Sequence, residues 1–337
     1  MTRVLTALTP LYAAAVAAKN AAYDRGWATP KRLRWPVVSI GNLSAGGSGK
    51  TPLTIRLAEL MRERGVHVDV LSRGYGRQST AVQRVDTNGT AEEFGDEPLE
   101  IARAAGVPVF VGPGRYAAGV LAEDSVSGPG LHLLDDGFQH RRLARDLDIV
   151  VLHRSDFTGR LLPAGRLREG FRSLWRAQVL VLRSDDADLE APLRDRGLRQ
   201  PIWWMERRME IPAVQRVIGF CAIARPEEFF SGVRAAGVQV SATRTWRDHH
   251  RYTETDIAEL VELSRQHGAE AFLTTAKDRA RMSLEAVREL EAAAPLLVGQ
   301  LEARLLDEAA VVEQLCAFLS GEEGERLAKG RGYPVRK

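Results

Sequence analysis

The chain has 337 residues, of which 45% are hydrophobic and 27% charged, and these proportions exclude a disordered or fibrous protein. The formal net charge of +3 is too small for a generic nucleic-acid-binding protein, so no nucleic-acid partner is expected. The two cysteines, Cys221 and Cys316, show no metal-ligand spacing and indicate a reducing compartment.

The N-terminal segment, residues 1–30, is almost uncharged between Val4 and Ala18 and has helical spacing. This apolar stretch is shorter than the roughly 20 residues that a membrane-spanning helix requires. Its broad apolar face fits a helix that lies on a membrane surface, and it fits equally a helix packed on its own domain. The sequence does not choose between the two.

An apolar strand, Val37–Ile40, leads into a glycine-rich loop, a lysine, a hydroxyl and the start of a helix. Glycines let backbone N–H groups surround phosphate oxygens, Lys50 can charge-pair with the β- and γ-phosphates, and Thr51 can offer its hydroxyl to Mg²⁺. Ser44 stands where the general P-loop pattern has glycine. The order of these parts nevertheless predicts a nucleoside triphosphate site formed by Ser44, Ala45, Gly46, Gly47, Ser48, Gly49, Lys50 and Thr51.

Strands and helices alternate after this loop, which predicts an α/β fold of the P-loop NTPase type, with helices on both faces of a parallel sheet. We assign residues 31–209 to this core, although residues 183–209 are polar and look irregular. A smaller C-terminal α/β domain is predicted for residues 210–320, and residues 321–337 are expected to form a mobile tail. The further strands predicted are Val66–Leu71, Val107–Val111, Leu131–Leu134, Ile149–Leu152, Val179–Leu182, Val214–Phe220, Val238–Thr243, Ala271–Thr275 and Leu296–Val298.

Two aspartates, Asp135 and Asp136, directly follow the apolar strand Leu131–Leu134. An apolar strand that ends in aspartate is typical of a Walker B element, whose carboxylate holds Mg²⁺ opposite the P-loop hydroxyl. A plain turn is the alternative. Asp135 is the expected metal ligand, Asp136 is expected to contact the metal or its waters, and Gln139 is a candidate nucleotide contact.

Other charged side chains lie in loops where parallel α/β folds bind ligands. Asp96 and Glu97 precede a helix, where acids either cap the helix or act as a catalytic base, and Glu97 is also a candidate metal ligand. Arg115 and Arg168 can neutralise a transferring phosphoryl group, unless they are solvated surface charges. His249 has too few neighbouring ligands for a metal site but can orient a catalytic carboxylate.

Together these motifs resemble the tetraacyldisaccharide 4′-kinase family, the lipid A 4′-kinases of Gram-negative bacteria. A serine or similar small hydroxyl residue at the position of Ser44 is a trait of that family. The resemblance covers most of the chain and rests on Gly41–Pro52, Leu71–Gly76, Gly95–Pro98, Asp135–His140, Leu162–Gly165, Leu167–Glu169 and Asp248–His250.

The resemblance implies transfer of the γ-phosphate of ATP, with Mg²⁺, to the 4′-hydroxyl of a tetraacylated glucosamine disaccharide 1-phosphate, which yields lipid IV-A. It also implies that Asp96 is the general base, that His249 pairs with it and that Arg168 lies near the phosphates. The family often has Thr-Glu-Lys-Asp where this chain has Thr275-Ala276-Lys277-Asp278, so neither Ala276 nor Lys277 is assigned a catalytic role.

The resemblance further implies a location on the cytoplasmic face of the inner membrane, where the N-terminal helix seats the enzyme. The expected partners are the lipid substrate and the membrane surface, with no obligatory protein partner. The P-loop alone would also fit a soluble small-molecule kinase or ligase, or a nucleotide-switched assembly protein.

Overall fold

The computed structural model describes residues 2–46 and 49–320. Gly47 and Ser48, which are predicted to contact the nucleotide, and the predicted mobile tail, residues 321–337, lie outside the described residues.

The first half of the chain is built around β1 and the helix that follows it. Its helices are α1 (Thr2–Asp24), α2 (Lys50–Glu63), α3 (Ala91–Phe94), α4 (Asp96–Ala105), α5 (Arg115–Asp124) and α6 (Glu190–Asp195). Its strands are β1 (Val37–Asn42), β2 (Val68–Ser72), β3 (Gln83–Arg84), β4 (Val109–Val111), β5 (Leu131–Asp135), β6 (Leu147–Val151), β7 (Val179–Arg183) and β8 (Ile202–Glu210). Short 3-10 helices cover Arg154–Asp156, Phe171–Arg176 and Ser184–Leu189.

The second half repeats the alternation of strand and helix. Its strands are β9 (Arg216–Cys221), β10 (Gln239–Thr245), β11 (Ala271–Thr275) and β12 (Leu296–Leu305). Its helices are α7 (Pro226–Ala235), α8 (Glu254–His267), α9 (Ala276–Arg281), α10 (Leu284–Ala293) and α11 (Glu308–Ser320).

Successive side chains of the central strands enter different cores, because side chains alternate between the faces of a sheet. Val38 of β1 packs in the core that contains Leu53 of α2. Its neighbour Val37 packs in the core that contains Ala118 of α5. Helices therefore cover both faces, and this explains why the strands read as continuous apolar runs.

Within the described residues the strands form one sheet in the order β10-β9-β11-β12-β8-β7-β6-β1-β5-β2-β4-β3. The pairing is parallel except between β8 and β12 and between β3 and β4. Ile40 of β1 lies beside Asp135 of β5, so the loop after β1 and the acidic end of β5 share one edge. The predicted α/β class is confirmed, with these two antiparallel pairs added.

The β8–β12 pair determines how the two halves face each other. β7 pairs with the first residues of β8, Ile202–Met205, whereas β12 pairs with Met205–Glu210 and runs in the opposite direction. The parallel strands β9, β10 and β11 follow the direction of β12. The carboxyl ends of both sets of parallel strands therefore face the same gap.

The prediction that residues 183–209 are irregular is wrong, because they contain α6 and the long strand β8. Burial on β8 alternates only in part, and the charges of its second half hide the strand pattern. The predicted strand Leu296–Val298 is too short, since β12 extends to Leu305, and α9 and α10 were not predicted. The sheet is continuous across Met209, and the division into domains at this residue stays a prediction.

Helix α1 lies on the P-loop half through polar contacts. Tyr12 Oη donates to the Arg168 carbonyl (3.0 Å), Lys19 Nζ to the Gln139 carbonyl (2.9 Å) and Asn20 Nδ2 to Glu169 Oε2 (3.3 Å). Leu8 and Leu11, one turn apart, stay 47% and 70% exposed. In the described part of the chain, no helix is both long enough and apolar enough to cross a bilayer.

A partly buried carboxylate, Glu228 at the start of α7, joins the two halves. It accepts hydrogen bonds from His153 Nε2 (2.9 Å), Arg207 Nη1 (2.6 Å) and Arg225 Nη1 (3.2 Å). Burial opposes its ionisation, but the hydrogen bond from His153 and the charge of Arg207 outweigh burial and lower the pKa of Glu228 to about 2.

We expect Glu228→Gln to lower the free energy of unfolding by about 2–3 kcal/mol at neutral pH, because Arg207 and Arg225 lose a partly buried counter-charge. The folded-state pKa lies below the unfolded one, so this contribution is complete above pH ~5 and is lost as the pH falls towards about 2. Urea unfolding at several pH values measures it. Glu227→Gln, at the exposed neighbouring residue, is the control. An equal loss at pH 7 and at pH 3 would contradict the proposed ion pairing.

Candidate functional site

The P-loop is held at both ends by Asn42, the last residue of β1. Asn42 Nδ2 donates to the Ser44 carbonyl (2.7 Å), and Asn42 Oδ1 accepts from Lys50 Nζ (3.1 Å). Gln139 Nε2 in turn donates to the Asn42 carbonyl (2.9 Å). Gly49 has φ +89°, a conformation that L side chains rarely adopt, and α2 starts at the next residue. The loop thus closes over the positive end of a helix dipole, a ready anion site.

A second loop, residues 160–168, packs directly against the P-loop. Ala45 N donates to the Arg166 carbonyl (2.8 Å), and Arg168 N donates to the Leu43 carbonyl (2.7 Å). Gly46 has φ +90°, a backbone conformation that favours glycine, and it lies against the Arg166 side chain. These contacts bring two arginines to the edge of the anion site.

The two acids at the end of β5, Asp135 and Asp136, have different environments. Asp135 is buried, and Ser72 Oγ donates to its Oδ2 (3.3 Å). Burial, followed by the charges of Glu97 and Asp136, raises the pKa of Asp135 to about 7. Burial also acts to raise the pKa of Asp136, but the charges of Lys50 and Arg168 outweigh burial and lower this pKa to about 2. Arg168 Nη1 lies 2.7 Å from Asp136 Oδ2, and Lys50 Nζ lies 3.5 Å from its Oδ1.

Asp135 and Thr51 are the predicted ligands that best fit Mg²⁺. Asp135 Oδ1 is buried and has no hydrogen-bond partner within the described residues, and Thr51 is buried in the first turn of α2. Asp136 and Glu97 already contact cations, and their metal roles stay predictions. Residues 2–46 and 49–320 contain no group of three or more His, Cys, Asp or Glu side chains that could hold a metal. Mg²⁺ shared with a triphosphate needs only one or two protein carboxylates.

On the P-loop half, Asp96 is the first residue of α4 and is buried, and two side chains of the second half reach it across the gap. His249 Nδ1 lies 3.4 Å from Asp96 Oδ2, and Arg281 Nε donates to the same oxygen (3.0 Å). Burial works against its ionisation, but the His249 hydrogen bond and the charges of Arg281 and Lys277 hold the pKa of Asp96 well below its usual range. The hydrogen bond to Asp96 raises the pKa of His249.

The neighbouring acid, Glu97, contacts α9 through Lys277. Lys277 Nζ donates to Glu97 Oε1 (2.6 Å). Burial disfavours the ammonium charge, but the carboxylates of Glu97 and Glu100 raise the pKa of Lys277 above its usual range. Burial raises the pKa of Glu100 to about 7. Helix α9 therefore supplies cations to both acids at the start of α4.

Arg115 starts α5 and is buried. Burial lowers its pKa, while Asp136 and Asp135 oppose that shift. Arg115 therefore belongs to the same electrostatic site as Arg168 and the two aspartates.

Comparison with known proteins gives one consistent result. The family model described as Tetraacyldisaccharide-1-P 4'-kinase matches residues 1–320. A tetraacyldisaccharide 4'-kinase of Koribacter versatilis is 44% identical over 94% of this chain and 99% of its own length. The corresponding protein of Geobacter metallireducens is 37% identical over 83% of this chain and 88% of its own length.

The chain belongs to the tetraacyldisaccharide 4'-kinase family. A solved structure of LpxK from Aquifex aeolicus in complex with ATP superposes with a TM-score of 0.73 at 29% identity, and it covers 94% of this chain and 99% of that one. The resemblance, the fold class and the expected kinase activity are confirmed.

In this family member, Arg281 was not predicted as a residue of the gap, and Lys277 and Asp278 were named in the sequence without being given a role. Arg281, Asp278 and Lys277 all come from α9, which was not predicted. A signal was present in the sequence. The basic residues Lys277, Arg279 and Arg281 directly follow the apolar strand Ala271–Thr275, at a carboxyl end where α/β folds bind ligands.

Proposed function

We propose that the family reaction takes place in the gap between the P-loop and α9, with the sugar hydroxyl approaching from the side of Asp96. One observation carries this proposal: Lys50 and Asp135, the proposed contacts to phosphate and Mg²⁺, lie at the carboxyl edge that faces the second half, from which His249 reaches Asp96. Phosphoryl transfer needs an acceptor oxygen held in line with the γ-phosphate, and this arrangement offers a place for each.

The nucleotide half of the proposed site is supported by its charges. Lys50 and the N-terminus of α2 would bind the triphosphate of ATP, and Mg²⁺ would be held by Asp135 and Thr51. Bound Mg²⁺ neutralises charge on the phosphates. Arg168 and Arg115 would stabilise charge that develops on the transferring group. Gln139 braces the P-loop from outside through Asn42, and its direct contact with nucleotide stays a prediction.

The acceptor half is supported by the arrangement around Asp96. The 4′-hydroxyl of the tetraacylated disaccharide 1-phosphate would donate to Asp96, which His249 orients. A carboxylate with so low a pKa is a weak base, but a loose phosphoryl-transfer transition state leaves the hydroxyl proton in place until late. Asp96 therefore contributes by orientation as much as by proton removal.

The product, phosphorylated lipid, is the direct test of this function. The full chain is incubated with radiolabelled ATP, Mg²⁺ and the disaccharide 1-phosphate in detergent micelles, and the lipid fraction is separated. Label in the lipid, dependent on the acceptor, is the expected result. A folded protein that binds ATP and hydrolyses it without labelling the lipid would contradict the proposal and favour a switch protein.

We also propose that α1 carries the enzyme to the cytoplasmic face of the inner membrane. Its polar side contacts the core through Tyr12 and Asn20, while Leu8 and Leu11 project away on one face. An apolar helix face beside a site for a lipid substrate suits a bilayer interface.

We expect the double variant Leu8→Gln/Leu11→Gln to bind phosphatidylcholine vesicles at least about tenfold more weakly, because each leucine side chain contributes roughly 1.5–3 kcal/mol when it is buried. Vesicle sedimentation measures the bound fraction. Leu284→Gln/Leu306→Gln, at exposed leucines of the second half, is the control and should bind as the wild type does. Unchanged binding of the α1 variant would show that this face does not contact lipid.

A further inference from the structure

Arg281 is anchored on one side before it reaches Asp96. Its Nη1 donates to the Ala222 carbonyl (2.8 Å) and lies 3.4 Å from Asp278 Oδ1. Asp278 is buried and is itself held, because Thr275 Oγ1 donates to it (2.6 Å) and Ala222 N donates to its Oδ1 (3.1 Å). The guanidinium plane is therefore fixed by the end of β9 and the start of α9.

The other side of the same guanidinium points at Asp96. Nε and Nη2 of Arg281 both donate to Asp96 Oδ2, and the remaining oxygen, Oδ1, accepts from Glu97 N (3.0 Å). Arg281 is only 7% exposed in its side chain, so this ion pair is shielded from solvent. The guanidinium is planar and its Nη1 is already held, so its Nε and Nη2 determine the rotamer of the carboxylate that they contact.

Arg281 and His249 are held next to each other by a shared backbone carbonyl. Arg281 Nη2 lies 3.1 Å from His249 Nδ1, and His249 N donates to the same Ala222 carbonyl that Arg281 contacts (3.2 Å). His249 has φ +62°, an unusual backbone conformation for a residue other than glycine, and these contacts hold it there. One backbone unit, Ala222, thus sets the distance between Arg281 and His249.

We infer that Arg281 is a positioning residue of the phosphoryl transfer, which aligns Asp96 and His249 from the second half of the chain. The inference rests on the proposed function, in which Asp96 binds the acceptor hydroxyl. Neighbouring Lys277 contacts Glu97 instead, and Arg279 on the same helix has no ion pair or hydrogen bond to Asp96 among the described contacts. The role therefore belongs to Arg281 and is not a general effect of a basic helix.

A double-mutant cycle tests the inference with the lipid acceptor assay in detergent. Arg281→Gln should lower kcat by at least about 30-fold and change KM for ATP by no more than about threefold, because the nucleotide half is untouched. Arg281→Lys should recover about tenfold of that loss, since one N–H can still reach Oδ2 but the fork is lost. In an Asp96→Asn background, both changes should reduce the remaining kcat by less than about twofold.

The outcomes separate the inference from the function on which it rests. Losses from Arg281→Gln that are the same in both backgrounds, or a kcat within about threefold of the wild type, would overturn the positioning role. If Arg281→Gln does not fold, Arg281→Lys in the two backgrounds gives the same comparison. Full turnover by Asp96→Asn alone would instead overturn the proposed role of Asp96. Arg279→Gln is the matched control and should keep the wild-type kcat.

Discussion

Replacing Lys50 by methionine should lower kcat/KM for ATP by at least about 10²–10³-fold, the range found when one preorganised charge or donor is removed from a transition state. Lys50 starts α2, is largely buried and donates to Asn42, which also holds the loop backbone. Methionine keeps the length and the apolar stem of the side chain but removes the charge. The β- and γ-phosphates then lose a cation in a site where water screens poorly.

Lys50→Met should weaken nucleotide binding without changing the structure of the site. Asp136 keeps Arg168 as a partner when Lys50 is replaced, so the loop after β5 should stay in place. Steady-state kinetics with the lipid acceptor and direct nucleotide titration measure the two effects. The control is Lys31→Met, at a lysine that lies over the Tyr116 ring outside the site. A Lys50→Met enzyme within tenfold of the wild type would show that the triphosphate binds elsewhere.

Asp96→Asn should lower kcat by about 10²–10⁴-fold with little change in KM for ATP, since a proton acceptor at the reacting oxygen is typically worth this much. Asparagine keeps the shape of the side chain but leaves Arg281 without its buried counter-charge. A loss confined to kcat would mean that the interaction is made in the transition state and not in nucleotide binding.

His249→Ala should have a smaller effect than Asp96→Asn, because His249 acts through Asp96 and Arg281 still holds the carboxylate. Measuring kcat for both variants under saturating ATP gives the comparison. The control is Glu92→Gln, at an exposed acid of α3 that pairs with Arg251. Equal or reversed losses would assign the catalytic proton to His249 in place of Asp96.

The antiparallel pair β8–β12 gives these two predictions a common structural basis. It turns the carboxyl ends of the second set of strands back towards the P-loop, so that contacts form between residues 185 positions apart, such as Arg281 and Asp96. Each half by itself has only part of the site. A rotation or shift of one half relative to the other would alter the distances from Arg281 and His249 to Asp96.

The local parts of this protein could be predicted from its sequence. The P-loop from β1 to α2 and the Asp135–Asp136 pair after β5 are recognisable because strand, loop and helix follow each other within a few residues. Apolar runs identified the buried strands, since both of their faces are covered. The family-specific loops then identified the kinase family, which the comparisons confirm.

The environment of Asp96 could not be predicted from the sequence and is seen only in the folded chain. The charged strand β8 and the short helix α9 carry weak periodic signals, so their positions could not be read from spacing. The convergence of Asp96, His249 and Arg281 depends on strand pairing between distant segments, and no local pattern encodes which segments pair. The tertiary structure also shows that α1 contacts the core through Tyr12 and Asn20 and leaves Leu8 and Leu11 exposed, while its contact with a membrane stays a proposal.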